Sequence, residues 1–117
     1  MTLKPEFLPV GSIVEQKAND TTWLPTVIIA DDLQLLESKP CLFNENFRPI
    51  TLTPEILTEW CGFEKINSTW YRLGDLAINI SGFTEWKGLH TGVICDYLHE
   101  LQNLFLGFKT VLPIKIK

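Results

Sequence analysis

Residues 47–65, FRPITLTPEILTEWCGFEK, constrain this chain more than any other stretch, because they spell a helix with both ends marked. Thr53 stands at the N-cap position, Pro54 at the first helical position, Glu55 in the first turn and Gly62 just past the end. Leu52 and Leu57 occupy the staple positions on either side of the cap. The prediction is a short helix over 53–61 set between two extended regions. It divides a single domain of 117 residues into a segment 10–50 and a segment 51–117.

The first segment reads as short strands joined by polar turns. Gly11 opens a strand over 12–16, KANDTT is turn chemistry, and 23–30 is a second strand with Pro25 near its start. Asp31-Asp32 marks a tight turn, 33–37 a third strand or one irregular turn, 38–46 a loop around Pro40, and 47–50 a return to extended chain. Residues 1–9, with two prolines, read as an extended lead-in. Close-spaced short strands predict a small SH3-like barrel.

The second segment contains a clear hairpin, WYRL and LAINI around Gly74-Asp75, with glycine where a two-residue primed turn needs it. Residues 81–92 read as a loop or weak strand. A second helix is expected over 91–106, because Ile94, Leu98, Leu101 and Phe105 recur at helical spacing. The closing VLPIKIK reads as an edge strand. The expected fold class is α+β, with this amphipathic helix packed on the sheet. The expected core comprises Ile13, Val27, Ile29, Leu52, Leu57, Trp60, Phe63, Leu76, Ile78, Ile80, Ile94, Leu98, Leu101 and Phe105.

Composition narrows the function classes. Charged residues are 21% and apolar residues 45% of the chain, which is ordinary globular usage. A net charge of −4 disfavours direct nucleic-acid binding, since phosphate contacts demand a basic balance. It suits a partner with a basic surface, including a protein that itself binds nucleic acid. Three cysteines, Cys41, Cys61 and Cys95, without a C-x-x-C spacing predict free thiols and a reducing, cytoplasmic setting. No apolar run approaches a membrane span, so no membrane partner is expected.

The chemistry-bearing groups are sparse. Cys95 and His99 stand four apart in the expected helix, a spacing that holds a metal only with two further ligands, and His90 is the one obvious addition. The same pair lacks an orienting group for nucleophilic catalysis. No phosphate-loop, dinucleotide, zinc-protease or nucleophile-elbow string occurs. The expectation is therefore a non-enzyme with no cofactor and no metal. Trp70, Tyr71 and Arg72, with Lys65 and Lys87, form an aromatic–basic strip that would suit single-stranded nucleic acid. Aromatics on a hairpin more often serve cross-strand packing.

RPITLTPEILTEWCGFEK, then WYRLGDLAINI, then YLHELQNLFLGF resembles a family of small uncharacterised proteins from Bacteroidota genomes, phages and mobile elements. Its pattern is matched here by Pro49, Leu52, Thr53, Glu55, Leu57, Gly62 and Phe63, and again by Tyr97, His99, Leu101, Gln102, Asn103, Leu104 and Phe105. The chain departs after Phe105, where KTVLP replaces the family's usual acidic ending. The resemblance implies a phage or mobile-element origin in a bacterial host. By analogy it implies an anti-defence role, such as an anti-CRISPR inhibitor of an RNA-targeting type VI effector or of its RNA-bound complex. It also draws in His99, Gln102 and Asn103, polar positions that would either satisfy backbone at a helix–loop junction or touch a partner.

These readings converge on a non-enzymatic protein-binding module. The candidate partner-binding residues are Trp70, Tyr71, Arg72, Trp86, His99, Gln102 and Asn103. The alternative is a small single-stranded nucleic-acid-binding accessory protein.

Overall fold

The computed structural model describes Leu3 and residues 8–116. The expected lead-in lies largely outside the described residues, but Leu3 and Leu8 within it are buried at 2% and 0% exposure. The fold is α+β, with a three-stranded and a five-stranded sheet. The chain divides into two compact units, 1–50 with 97–103, and 51–96 with 104–117.

The first unit begins with a hairpin, β1 (Ile13–Asn19) and β2 (Thr22–Val27). Asn19 shapes its turn by accepting the backbone N–H and the hydroxyl of Thr21. Where a third strand or one irregular turn was expected, the chain forms α1 (Ala30–Ser38). The Asp31-Asp32 pair lies in the first turn of this helix and not in a tight turn. Asp32 Oδ2 accepts the Ile29 N–H at 3.0 Å, and both carboxylates sit at the positive end of the helix dipole. The expected loop is α2 (Pro40–Asn46), because Pro40 serves at the first helical turn, where its missing N–H costs nothing. A two-residue β3 (Phe47–Arg48) then pairs with β1, giving the order β2-β1-β3. The barrel expectation therefore gives way to an open three-stranded sheet with two helices.

Leu3, Leu8, Val14, Ile28, Leu36 and Phe43 fill this unit's core, where Phe43 stacks on Phe47 with centroids 4.4 Å apart. Val27 and Ile29, expected inside, are exposed, and Ile28 between them is buried. Both lie where the expected strand over 23–30 stops: Val27 is the last residue of β2 and Ile29 the N-cap of α1.

In the second unit the marked helix is real but distorted. Thr53 Oγ1 accepts the Ile56 N–H as an N-cap should. Residues Ile56–Trp60 then widen into a π-helical turn, with the Cys61 N–H donating to the Ile56 carbonyl. The Thr58 hydroxyl donates to the Pro54 carbonyl, a side-chain bond that competes with the helix ladder.

A five-stranded antiparallel meander follows: β4 (Glu64–Lys65), β5 (Trp70–Leu73), β6 (Leu76–Asn79), β7 (Phe83–Trp86) and β8 (Leu89–Ile94). The β5–β6 hairpin turns at Gly74-Asp75 as predicted. The β7–β8 pair is new. It turns on Lys87-Gly88, both at positive φ (52° and 82°), the conformation a two-residue type I′ hairpin requires.

The final helix, α3 (Leu98–Gly107), is shorter than expected, because residues 91–94 belong to β8. Ile94 is thus exposed and not part of the apolar stripe, and Ile80 is exposed beyond the end of β6. Leu98 and Leu101 are buried as expected, while Phe105 packs edge-on against Phe63 at 6.4 Å. The expected terminal strand is absent among the described residues, although the Lys115 N–H donates to the Trp60 carbonyl.

Candidate functional site

The structure scatters the expected binding residues. Strand alternation puts Tyr71 on the face of the sheet shared with Ile78 and Thr84, where it is buried. Trp70 and Arg72 fall on the opposite face, half-buried and exposed. The Trp70–Arg72 strip is therefore not one surface, and Tyr71 cannot contact a partner from the core. Trp86 is half-buried and stacks on Phe108 with centroids 4.0 Å apart.

His99 is also interior, with no exposed surface and no hydrogen-bond partner at either ring nitrogen. Burial pushes its pKa down, with Glu100 opposing, and the Tyr97 ring stacks beside it. Gln102 does structural work in the first unit. Its Oε1 accepts the Ile13 N–H at 2.7 Å and its Nε2 donates to the Gly11 carbonyl at 3.1 Å. Asn103 is half-buried, with its Oδ1 shielded from solvent. Two of the three motif polars are thus placed at or under the surface, and the third satisfies backbone.

The Cys95–His99 spacing loses its meaning, because α3 begins at Leu98 and the two residues do not share a helix. Among the described residues, no group of three metal-ligating side chains comes together. Cys61 and Cys95 are buried thiols, and burial pushes the Cys61 thiol up to about 12, far from thiolate reactivity.

A different surface stands out. Strand β8 closes one edge of the five-stranded sheet, and its sequence LHTGVI is exposed at every position but Thr91, which is half-buried. Leu89 is 75% exposed, and the cross-strand pair Phe83 and Ile94 is 51% and 49% exposed. A cavity of about 290 Å³ lies here, lined by Phe83, Thr84, His90, Gly92, Val93 and Ile94. That volume is at the bottom of the range of about 300–1,000 Å³ for small-molecule sites, and it suits one side chain better than a cofactor.

The edge is shaped by a bulge. Phe83 pairs with Ile94 and Glu85 with His90, so Thr84 faces three residues of β8. Gly92 takes the positive φ of 78° that the bulge demands. Thr84, itself buried, ties it together: its hydroxyl donates to the Val93 carbonyl and shares a hydrogen bond with the Thr91 hydroxyl. Sequence reasoning missed this surface by assigning 91–94 to a helix. The signals against that assignment were Gly92 inside it and the β-branched Thr91, Val93 and Ile94 around it.

Charge is unevenly divided. The first unit holds eight carboxylates and four cations, and the second holds six of each, so the whole acidic surplus lies in the first. Among the described residues no helix is long and apolar enough to cross a membrane. Comparison of the chain with protein-family models, with curated proteins and with solved structures finds no match.

Proposed function

We propose that this chain is a non-enzymatic protein-binding module whose contact surface includes the β8 edge. The observation that carries the reading is an uncharged edge strand left uncovered beside exposed Phe83, Leu89 and Ile94. Exposed apolar surface at a sheet edge is a liability that proteins normally blunt with charge, proline or cover. The acidic surplus of the first unit favours a partner with a basic surface. The family resemblance directs the reading to a phage or mobile-element protein acting on a host partner, with an RNA-targeting type VI CRISPR effector as the specific instance.

The test is affinity purification from a bacterial host lysate, with and without nuclease treatment, using the wild-type chain and a Leu89→Lys/Val93→Lys variant. The expected result is a stoichiometric host protein that survives nuclease and is lost with the variant. Recovery only of nuclease-sensitive material would replace this reading with the nucleic-acid one.

A further inference from the structure

The two sheets have four edge strands, and among the described residues β8 alone is open. β2 carries Pro25 in its middle. β3 and β4 are two residues long, and they carry Arg48 in β3 and Glu64 and Lys65 in β4. Each of these features discourages an added strand. β8 has six residues, no charge and no proline.

Its backbone is oriented to accept one. The type I′ turn makes Trp86 and Leu89 a hydrogen-bonded pair, so the next residue, His90, directs its N–H and C=O away from β7. At the far end the Cys95 N–H donates inward to the Gly82 carbonyl, so Ile94 before it also points its polar groups outward. The outward groups of His90 and Ile94 bracket the bulge and the cavity.

We propose that β8 receives an extended, carboxylate-free segment of a partner protein as an added strand, with one apolar side chain seated in the cavity beside Phe83 and Ile94. This inference rests on the protein-binding reading above. Size selects the occupant. The exposed parts of Phe83, Leu89, Val93 and Ile94 amount to on the order of 400 Å² of apolar surface. A stable globular interface needs about 800 Å² from each partner. A single strand needs far less side-chain area, because ladder hydrogen bonds supply the rest. Chemistry selects its sequence. The cavity lining offers no lysine, arginine or carboxylate, and its one titratable residue, His90, already faces the Glu85 carboxylate at 3.7 Å. A neutral or basic strand is therefore accepted and an acidic one repelled.

The experiment pans a displayed library of random 12-residue peptides on the full chain. The strongest binders are then remade synthetically, with and without N-methylation at alternate residues. The expected binders alternate apolar residues and avoid Asp and Glu. N-methylation of the ladder-facing donors weakens them by at least about tenfold, and so does His90→Pro, which removes an outward N–H without touching the β7 ladder. Val93→Lys serves as a second variant should His90→Pro melt early. Peptides that bind both variants and tolerate N-methylation overturn strand addition. A dimer in wild-type chain that His90→Pro dissolves gives the edge to a second copy and overturns it too. If a purified host partner binds both variants at wild-type affinity, strand addition fails while the protein-binding reading stands. If neither peptides nor a host protein bind, both fail.

Discussion

Gln102 offers a direct measure of what fastens the start of α3 to β1. Its amide accepts the Ile13 N–H at 2.7 Å and donates to the Gly11 carbonyl at 3.1 Å, a pairing across most of the sequence. Ile13 is buried, so its N–H has little access to water once the amide is gone, whereas Gly11 is exposed and its carbonyl recovers a water bond. The cost of Gln102→Met should thus be that of one orphaned backbone donor, about 1–3 kcal/mol. Methionine keeps the stem length and nearly the same helix propensity, which removes packing and propensity as explanations. For a domain of this size that is a fall in Tm of roughly 4–12 °C. Gln102→Glu keeps the acceptor for Ile13 and loses the donor for Gly11, so it should fall between the two. The assay is urea unfolding at constant m-value, with amide exchange at Ile13 as the local readout. Gln102→Met within about 0.5 kcal/mol of wild type, with Ile13 still protected, would refute the reasoning.

Three further outcomes follow from the same structure. His99 is buried with its pKa lowered, so the unfolded chain takes up the proton first. Stability should be full above pH 6.5 and fall as pH drops through that value, by at most about 1.4 kcal/mol per pH unit, with His99→Leu flattening that part of the profile. Gly82 sits at φ 94° with Cys95 O and Ile94 Cγ2 both 2.9 Å from where a Cβ would be, while Gly74 at φ 59° has nothing within 4 Å. Gly82→Ala should therefore cost well over the roughly 1–2 kcal/mol expected of Gly74→Ala, and equal thermal shifts would contradict the close approach. Of the three thiols only Cys41 is exposed, so native protein should react quickly with a thiol reagent at one site and at all three only when unfolded. Rapid labelling of Cys61 in native protein would contradict the burial that pushes its pKa to about 12.

The parts legible in the sequence were those governed by local rules. The Thr53 cap and the Gly74-Asp75 hairpin appear where the residues call for them. The misreadings arose where one residue type serves two local structures. Asp31-Asp32 suits a turn or a helix start, and Pro40 suits a loop or a first helical turn; tertiary packing of Leu36 and Phe43 decided both for helix. The candidate site was almost wholly hidden. Residues 91–94 carry apolar side chains at positions that fit a helical period only if Gly92 is ignored, and a Lys87-Gly88 turn lacks the asparagine or aspartate that usually announces a primed hairpin. Conversely, the resemblance pointed to His99 and Gln102 as contact residues, whereas His99 is buried and Gln102 bonds the backbone of β1 and Gly11.

Because residues 97–103 complete the first unit, neither unit is a continuous piece of chain. On a ribosome this imposes an order of events. At about 5–20 residues per second, some 2–9 s pass between synthesis of Ile50 and arrival of the segment bearing Gln102. Collapse of the early segment takes less than a millisecond. The nascent β1–β2 hairpin must therefore wait, with the Gly11 carbonyl and Ile13 N–H lacking their native partner, for a helix that has not yet been translated. Production of this chain should accordingly respond to elongation rate and to trigger-type chaperones more than its size alone implies.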